Sequence, residues 1–281
     1  MTPRRLSLPQ MTLCCVDTRS PAEAVHALRQ SMRQVDFGRV LYLGPARART
    51  MGLELDGIEL VAIEDLTSIE AYSRFMLHGL GPHIETSHVL VVQWDGFVTH
   101  PERWQAQFLD WDYIGAPWPR KRQAPAVGNG GFSLRSRRLI DALAQLPYDG
   151  SEPEDRVICV HWRETLEREH GIRIAPVGLA AEFSIEYGPW RPAFGFHGLH
   201  NFAHEMTAQE LQDWLLSADD GLVLTRHGRQ LVKALMGSGN PALALALLRR
   251  RSRHLGWTRD QLLLHLRARL QQLKAAWARR S

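Results

Sequence analysis

Cysteine is scarce in this chain: three in 281 residues, two of them adjacent at Cys14-Cys15 and the third alone at Cys159. That pattern excludes a disulfide framework and a zinc site of Cys/His spacing, and predicts a reducing compartment. Long apolar runs are also missing. No segment approaches the roughly 20 apolar residues of a membrane span. Residues Met1 to Gln10 carry two arginines but no apolar core of the kind a secretory leader needs, so the expected location is cytoplasmic. There is no P-loop, no G-x-G-x-x-G opening a helix after a strand, and no nucleophile elbow, which counts against P-loop phosphoryl transfer and hydride transfer. Acid is the last deficit. From Gly221 to Ser281 there are thirteen Lys/Arg and one acid, Asp260, while the rest of the chain holds 21 basic and 29 acidic residues. A mildly acidic body carries a strongly basic tail.

What is present reads first as alternating strands and helices. "MTLCCVDT" is a buried-type strand ending in Asp17. "SPAEAVHALRQSMRQ" follows as a helix with Ser20 as N-cap and Pro21 in its first turn. "RVLYLG", "IELVAI" and "SHVLVVQWDGFV" are further strands, "TSIEAYSRFMLHGL" a helix, and "IRIAPV" a later strand. Near-continuous apolar strands joined by helices predict a mixed, mainly parallel sheet flanked by helices, with ligands outside the carboxyl ends of the strands. Asp17 and Asp95 both sit at such ends. The aromatic, proline-rich stretch between Pro101 and Gly131, with a basic cluster at Arg120, Lys121 and Arg122, suits a site loop better than a linker. From Thr207 onward every pattern is helical. The predicted division is a body over 1–205 and an all-helical basic appendix over 206–281.

Four places could carry chemistry. Gly128, Asn129, Gly130 and Gly131 precede the alternating "FSLRS", with Ser136 as a helix cap. They offer positive φ and close approach, either as a tight turn or as the floor of a ligand site. Asp95 is a hard-oxygen ligand for Mg²⁺ or Mn²⁺, or the cap of a turn before Phe97. Glu154-Asp155 begins a helix, where acids complement the helix dipole or supply a general base. His197, in "FGFHGLHNF", is a metal ligand or an ordinary core histidine, with His200 competing for the role.

The order "QWD", "DYIGAPW", "VGNGGFSLRS", "PED", "FGFHG" resembles GT-A glycosyltransferases, particularly the beta-1,3-galactosyltransferase and Fringe-like group. It is more similar still to a microbial family known mainly as a domain of unknown function, over roughly Thr12 to Phe202. The resemblance implies a GT-A-like fold and transfer of a sugar from a nucleotide-sugar donor, a UDP-sugar, to a hydroxyl of a glycan or glycolipid, with inversion. It makes Asp155 the catalytic base with Glu154 in support, and Asp95 and His197 the ligands of a divalent Mn²⁺ or Mg²⁺. Only the last acid of the family's D-x-D element is matched, because the element here reads Gln93-Trp94-Asp95. Gln93, Trp94, Asn129, Gly130 and Gly131 would line the donor and acceptor cleft, and Asp17 would approach the nucleotide. Trp94, Trp111 and Trp118 offer faces for sugars or simply pack the core.

Two other readings stay open beside this one: a catalytically inactive relative that binds a nucleotide-sugar or glycan, and a sugar nucleotidyltransferase. The basic tail has no nucleic-acid motif. It is a solvated helical face, or one that lies on an anionic membrane at the cell's inner surface.

Overall fold

The computed structural model describes residues 5–119 and 127–278; the basic cluster Arg120, Lys121 and Arg122 lies outside the described residues. The chain divides into two compact units, Met1–His197 and Gly198–Ser281. This boundary falls earlier than the predicted 205/206 because Phe202, read as the end of the body, packs edge-on against Trp214 of the helical unit.

The first unit is built on a six-stranded sheet of order β3-β2-β1-β4-β6-β5. Four strands run parallel: β1 (Leu6–Val16), β2 (Val35–Gly44), β3 (Glu59–Ala62) and β4 (His88–Val92). Two others, β5 (Tyr113–Gly115) and β6 (Phe132–Ser136), add an antiparallel edge. Strand alternation gives the sheet two apolar faces. Leu13, Cys15, Tyr42, Leu90, Val92, Phe132 and Leu134 point to one side, where Ala24, Val25 and Leu28 of helix α1 (Pro21–Gln34) cover them. On the other side Cys14, Val16, Leu41, Leu43, Val89 and Val91 meet Met76 and Leu80, which follow helix α2 (Ile69–Arg74), and Ile140 of helix α3 (Arg137–Leu143). Sheet and helices agree with the architecture expected from the sequence.

Three local expectations are corrected. Ser20 occupies the N-cap position of α1 without a side-chain capping bond; Asp17 Oδ1 instead accepts the N–H groups of Arg19 and Ser20 at 2.7 and 2.8 Å. "IRIAPV" forms no strand. Only Ile174 bridges to Tyr113, because the Asp112 carboxylate takes the Arg173 N–H and Pro176 turns the chain into the next helices. The segment from Glu154 is a broken helix rather than a continuous one: α4 (Glu154–Arg156), a wide turn at Val157–His161, then α5 (Arg163–Arg168) and, after Pro176, α6 (Val177–Phe183). A short parallel pair, β7 (Ser184–Ile185) and β8 (Gly195–Phe196), delivers His197.

The second unit is helical throughout: α7 (Phe202–Glu205), α8 (Ala208–Ser217), α9 (Asp220–Val223), α10 (Arg226–Gly237), α11 (Pro241–Leu255) and α12 (Arg259–Ala278). Thr207 and Glu210 form a reciprocal capping box at the start of α8. Several of its arginines are structural. The Arg250 guanidinium donates to the Leu215 and Ala218 carbonyls and pairs with Asp220, while Arg251 is buried against the Thr225 carbonyl.

Candidate active site

Antiparallel pairing of β4 with β6 is what assembles the site. Val92 faces Phe132, and the next rung is Gln93 N–H to the Gly131 carbonyl at 2.8 Å. Beyond that rung the two strands part, so Gln93-Trp94-Asp95 and Asn129-Gly130-Gly131 leave the sheet side by side. A cavity of about 380 Å³ opens there, at the carboxyl ends of the parallel strands. It is lined by Asp17, Gln93, Trp94, Asn129, Gly130, Gly131, Glu154, Asp155 and His197, together with Thr18, Arg19 and Tyr72. Nine residues singled out from the sequence thus meet around one space.

Other candidates stand apart from its lining. Asp95 is 5% exposed and lies behind the wall, with its Oδ1 3.1 Å from His197 Nε2. Trp118 lies against Gly128 and lines a separate pocket of about 160 Å³ with Pro117, Glu186 and Tyr187. His200 falls in the second unit, in the turn Leu199–Asn201. Trp111 stacks under the Arg173 guanidinium and packs on the core, as its apolar reading allowed.

His197 is fixed from both ring nitrogens. Nε2 is 3.1 Å from Asp95 Oδ1 and 3.1 Å from Gln93 Oε1, and Nδ1 is 3.3 Å from Glu186 Oε1. Burial alone would lower the pKa of the imidazole, but the carboxylates of Asp95 and Glu186 overcome it and hold the ring's pKa well above the usual histidine range. Glu186 is held in turn by Asn129, whose Nδ2 donates to Oε2 at 2.7 Å while its Oδ1 accepts the Gly131 N–H at 2.9 Å. Gln93 Nε2 donates to the Tyr72 hydroxyl at 3.0 Å.

The acidic pair divides its roles. Glu154 is buried, its Oε1 accepting from Arg135 at 3.0 Å and its N–H donating to Ser73 Oγ at 3.1 Å. Asp155 faces the cavity and accepts from the N–H groups of Arg156 at 2.7 Å and Gly130 at 3.3 Å. Its burial, reinforced by the neighbouring Glu154 charge, raises the Asp155 carboxyl to about 7. Asp17 is likewise raised, mainly by burial, against the two N–H bonds that favour its charged form.

The glycines are required for space rather than for positive φ, which none of Gly128, Gly130 and Gly131 adopts. A Cβ at Gly131 would stand 2.2 Å from His197 Nε2, one at Gly130 2.3 Å from Glu154 Oε1, and one at Gly128 2.3 Å from the Trp118 ring. The glycine run makes room for the protein's own site side chains.

Arg135, Glu186 and Tyr72 went unnoticed in the sequence. Glu186 follows the two-residue strand β7, so the rule that found Asp17 and Asp95, a carboxylate at a strand end, finds it too. Arg135 pairs across the ladder with Val89, which puts it on the same sheet face as Val89 and Val91, toward α2 and α4. No local signal marks it as buried.

Comparison with known proteins places the chain in a family. A family model described as protein of unknown function (DUF5672) matches residues 57–197, half of the chain. The chain belongs to the DUF5672 family. Its "DYIGAPW" and "GNGGFSLRS" blocks and every candidate site residue except Asp17 and His200 lie within the matched span. No curated protein matches. Among solved structures, the chain is similar to a glycosyltransferase involved in the glycosylation of the major capsid of PBCV-1, at 10% identity and TM-score 0.36, covering 66% of this chain and 93% of that one. It is also similar to glucosyl-3-phosphoglycerate synthase from Mycobacterium tuberculosis in complex with Mn²⁺, UDP and phosphoglyceric acid, at 15% identity and TM-score 0.39, covering 81% and 78%. A third is S. aureus TarS 1-349 in complex with UDP-GlcNAc, at 13% identity and TM-score 0.39, covering 94% and 88%.

Proposed function

We propose that this DUF5672 protein is a glycosyltransferase that moves a sugar from a UDP-sugar to a hydroxyl of a glycan or glycolipid, inverting the configuration at C1. The observation that carries this reading is the convergence of Asp155, His197 and the glycine-walled floor on one cavity at the strand ends, with Asp95 against His197 from behind the wall.

Asp155 is the base. It faces the cavity and makes no ion pair among the described residues, and with a pKa near 7 it is basic enough to take a proton from an attacking hydroxyl. Burial raises that pKa, and the charge of Glu154, locked to Arg135, adds to the shift. Asp17 and Arg19, at the carboxyl end of β1, would meet the nucleotide.

The residues fit a divalent cation in part, and His197 would have to give up the Nε2 proton that Asp95 and Gln93 hold. Donors on adjacent corners of an octahedral site with bonds of about 2.1 Å lie about 3 Å apart, and Asp95 Oδ1 and His197 Nε2 are 3.1 Å apart. Glu186 on Nδ1 is the outer carboxylate that orients a ligating histidine. Among the described residues no group of three or more His, Cys, Asp or Glu side chains could hold a metal, so phosphate oxygens would have to complete the shell. When bound there, Mn²⁺ or Mg²⁺ would neutralise charge on the departing diphosphate. Gln93, in the place of the missing first acid, offers only a neutral amide oxygen, which accepts from the same nitrogen.

Calorimetric titration with a panel of nucleotide sugars, with and without Mn²⁺, tests the reading. One UDP-sugar should bind selectively and more tightly with the metal, and His197→Ala should abolish the metal's contribution while retaining residual nucleotide binding. Metal-independent binding equal in both proteins removes Asp95 and His197 from the metal role. Silence of folded protein across the panel contradicts the transferase reading.

A further inference from the structure

The last helix has two apolar sides. Gln261, Leu264 and Ala268 of α12 are buried against α10 and α11. On the opposite side Leu263, Leu266, Leu270, Leu273 and Trp277 recur at alternating spacings of three and four, so they share one face. They are between 49% and 74% exposed. A surface helix of a water-soluble domain keeps its outer face polar. Here the outer face is leucine, in the most basic part of the chain.

The flanks of the stripe discriminate between occupants. Arg267 and Lys274 border it on one side and Arg269 on the other, all three exposed. In a self-paired helix these would be the e and g positions, which set partner choice through opposite charges. Every such pair here would be basic against basic. The one acid of the region, Asp260, is already held by both arms of Arg229 at 2.5 and 2.6 Å. A second copy of this stripe is therefore a poor partner. Nucleic acid would satisfy the arginines and leave the leucines in water. A surface that is apolar beneath and negatively charged above satisfies both.

We infer that the exposed Leu263–Trp277 face of α12 lies flat on an anionic lipid surface, its leucines in the acyl boundary and Arg267, Arg269 and Lys274 reaching up to the headgroups. Among the described residues no helix is long and apolar enough to cross a membrane, so the contact is peripheral. The assignment does not depend on the catalytic reading of the first unit.

Flotation of the full chain with vesicles tests it, using phosphatidylcholine alone and phosphatidylcholine with one part in four phosphatidylglycerol. The wild type should float with the anionic vesicles at low salt, and much less with the neutral ones. The double variant Leu266→Ser/Leu270→Ser should bind about a hundredfold more weakly, about tenfold per leucine withdrawn from the bilayer. Replacing Arg267, Arg269 and Lys274 by Gln should remove the preference for anionic vesicles. These positions face solvent, so circular dichroism should show unchanged helix content in both variants. The inference is overturned if folded wild type stays behind with anionic vesicles at low salt. It is equally overturned if sedimentation equilibrium shows a dimer that the leucine variant dissolves, which would make a second copy the occupant.

Discussion

Asp155→Asn should turn over donor and acceptor about a hundredfold to ten-thousandfold more slowly than the wild type, the range for loss of a general base, while binding UDP with unchanged affinity. The carboxylate lines the cavity, but its hydrogen bonds are to backbone N–H groups rather than to a partner whose removal would collapse the nucleotide side. The same variant has a signature in stability. Burial and the Glu154 charge raise the folded-state pKa of Asp155 to about 7, so the native state holds the proton more tightly than the unfolded chain does. Native stability from this group is therefore greatest at low pH and is lost as pH rises from the ordinary carboxylate range through about 7. Asparagine cannot ionise. Asp155→Asn should match the wild type near pH 4 and exceed it at pH 8, by on the order of a few kcal/mol. Urea unfolding at both pH values measures this. In the wild type, kcat should rise with pH up to about 7 as the base ionises. Equal turnover in the variant removes Asp155 from the base role, and no gain in stability at pH 8 shows that the carboxyl is not strained by its surroundings.

Arg135→Met should destabilise the first unit by about 3–5 kcal/mol, the cost of leaving one member of a buried ion pair without its partner. Arg135 is fully buried, and its partner Glu154 is 6% exposed at its side chain. The guanidinium also donates to Ser133 Oγ at 3.1 Å and to the Gly130 carbonyl at 3.4 Å, and lies 5.6 Å from the Tyr113 ring centre. Removing it strands Glu154 beside Asp155 with no countercharge. The double variant Arg135→Met/Glu154→Gln should recover much of the loss, since a buried pair replaced as a unit by neutral side chains of similar volume is often nearly neutral. Chemical unfolding of the two variants separates the cases. An Arg135→Met protein as stable as the wild type would show that the ion pair does not hold this end of the cavity.

The sequence was most informative where one side chain's position follows from strand or helix periodicity. The parallel strands are near-continuous apolar runs, and a carboxylate at the end of such a run must emerge at the ligand edge of the sheet; Asp17 and Asp95 follow from that alone. What stayed hidden depends on pairing between distant segments. Glu186 and Asn129 are 57 residues apart and meet only because β7 and β8 fold His197 back over the glycine run. Arg135 reads as one more basic residue before a basic helix, yet antiparallel pairing with Val89 turns it inward. The glycines show the difference most clearly. Their number pointed to a close approach, but whether to a sugar or to the protein's own histidine depended on where His197 comes to rest. The two-sided character of α12 was concealed in a similar way, since leucines on both sides of a helix read as core until one side is found uncovered.

The central claim is transfer of a sugar, and the most direct measurement follows the sugar itself. Wild type is incubated with the UDP-sugar that binds most tightly, Mn²⁺ and a set of glycan acceptors, and proton NMR records both donor loss and the anomeric configuration of the product. The account predicts release of UDP matched by a glycoside of inverted configuration, with both signals lost in Asp155→Asn. A donor that binds and is never consumed by wild type would contradict it, and would make the cavity a binding site for a nucleotide sugar rather than a place where one reacts.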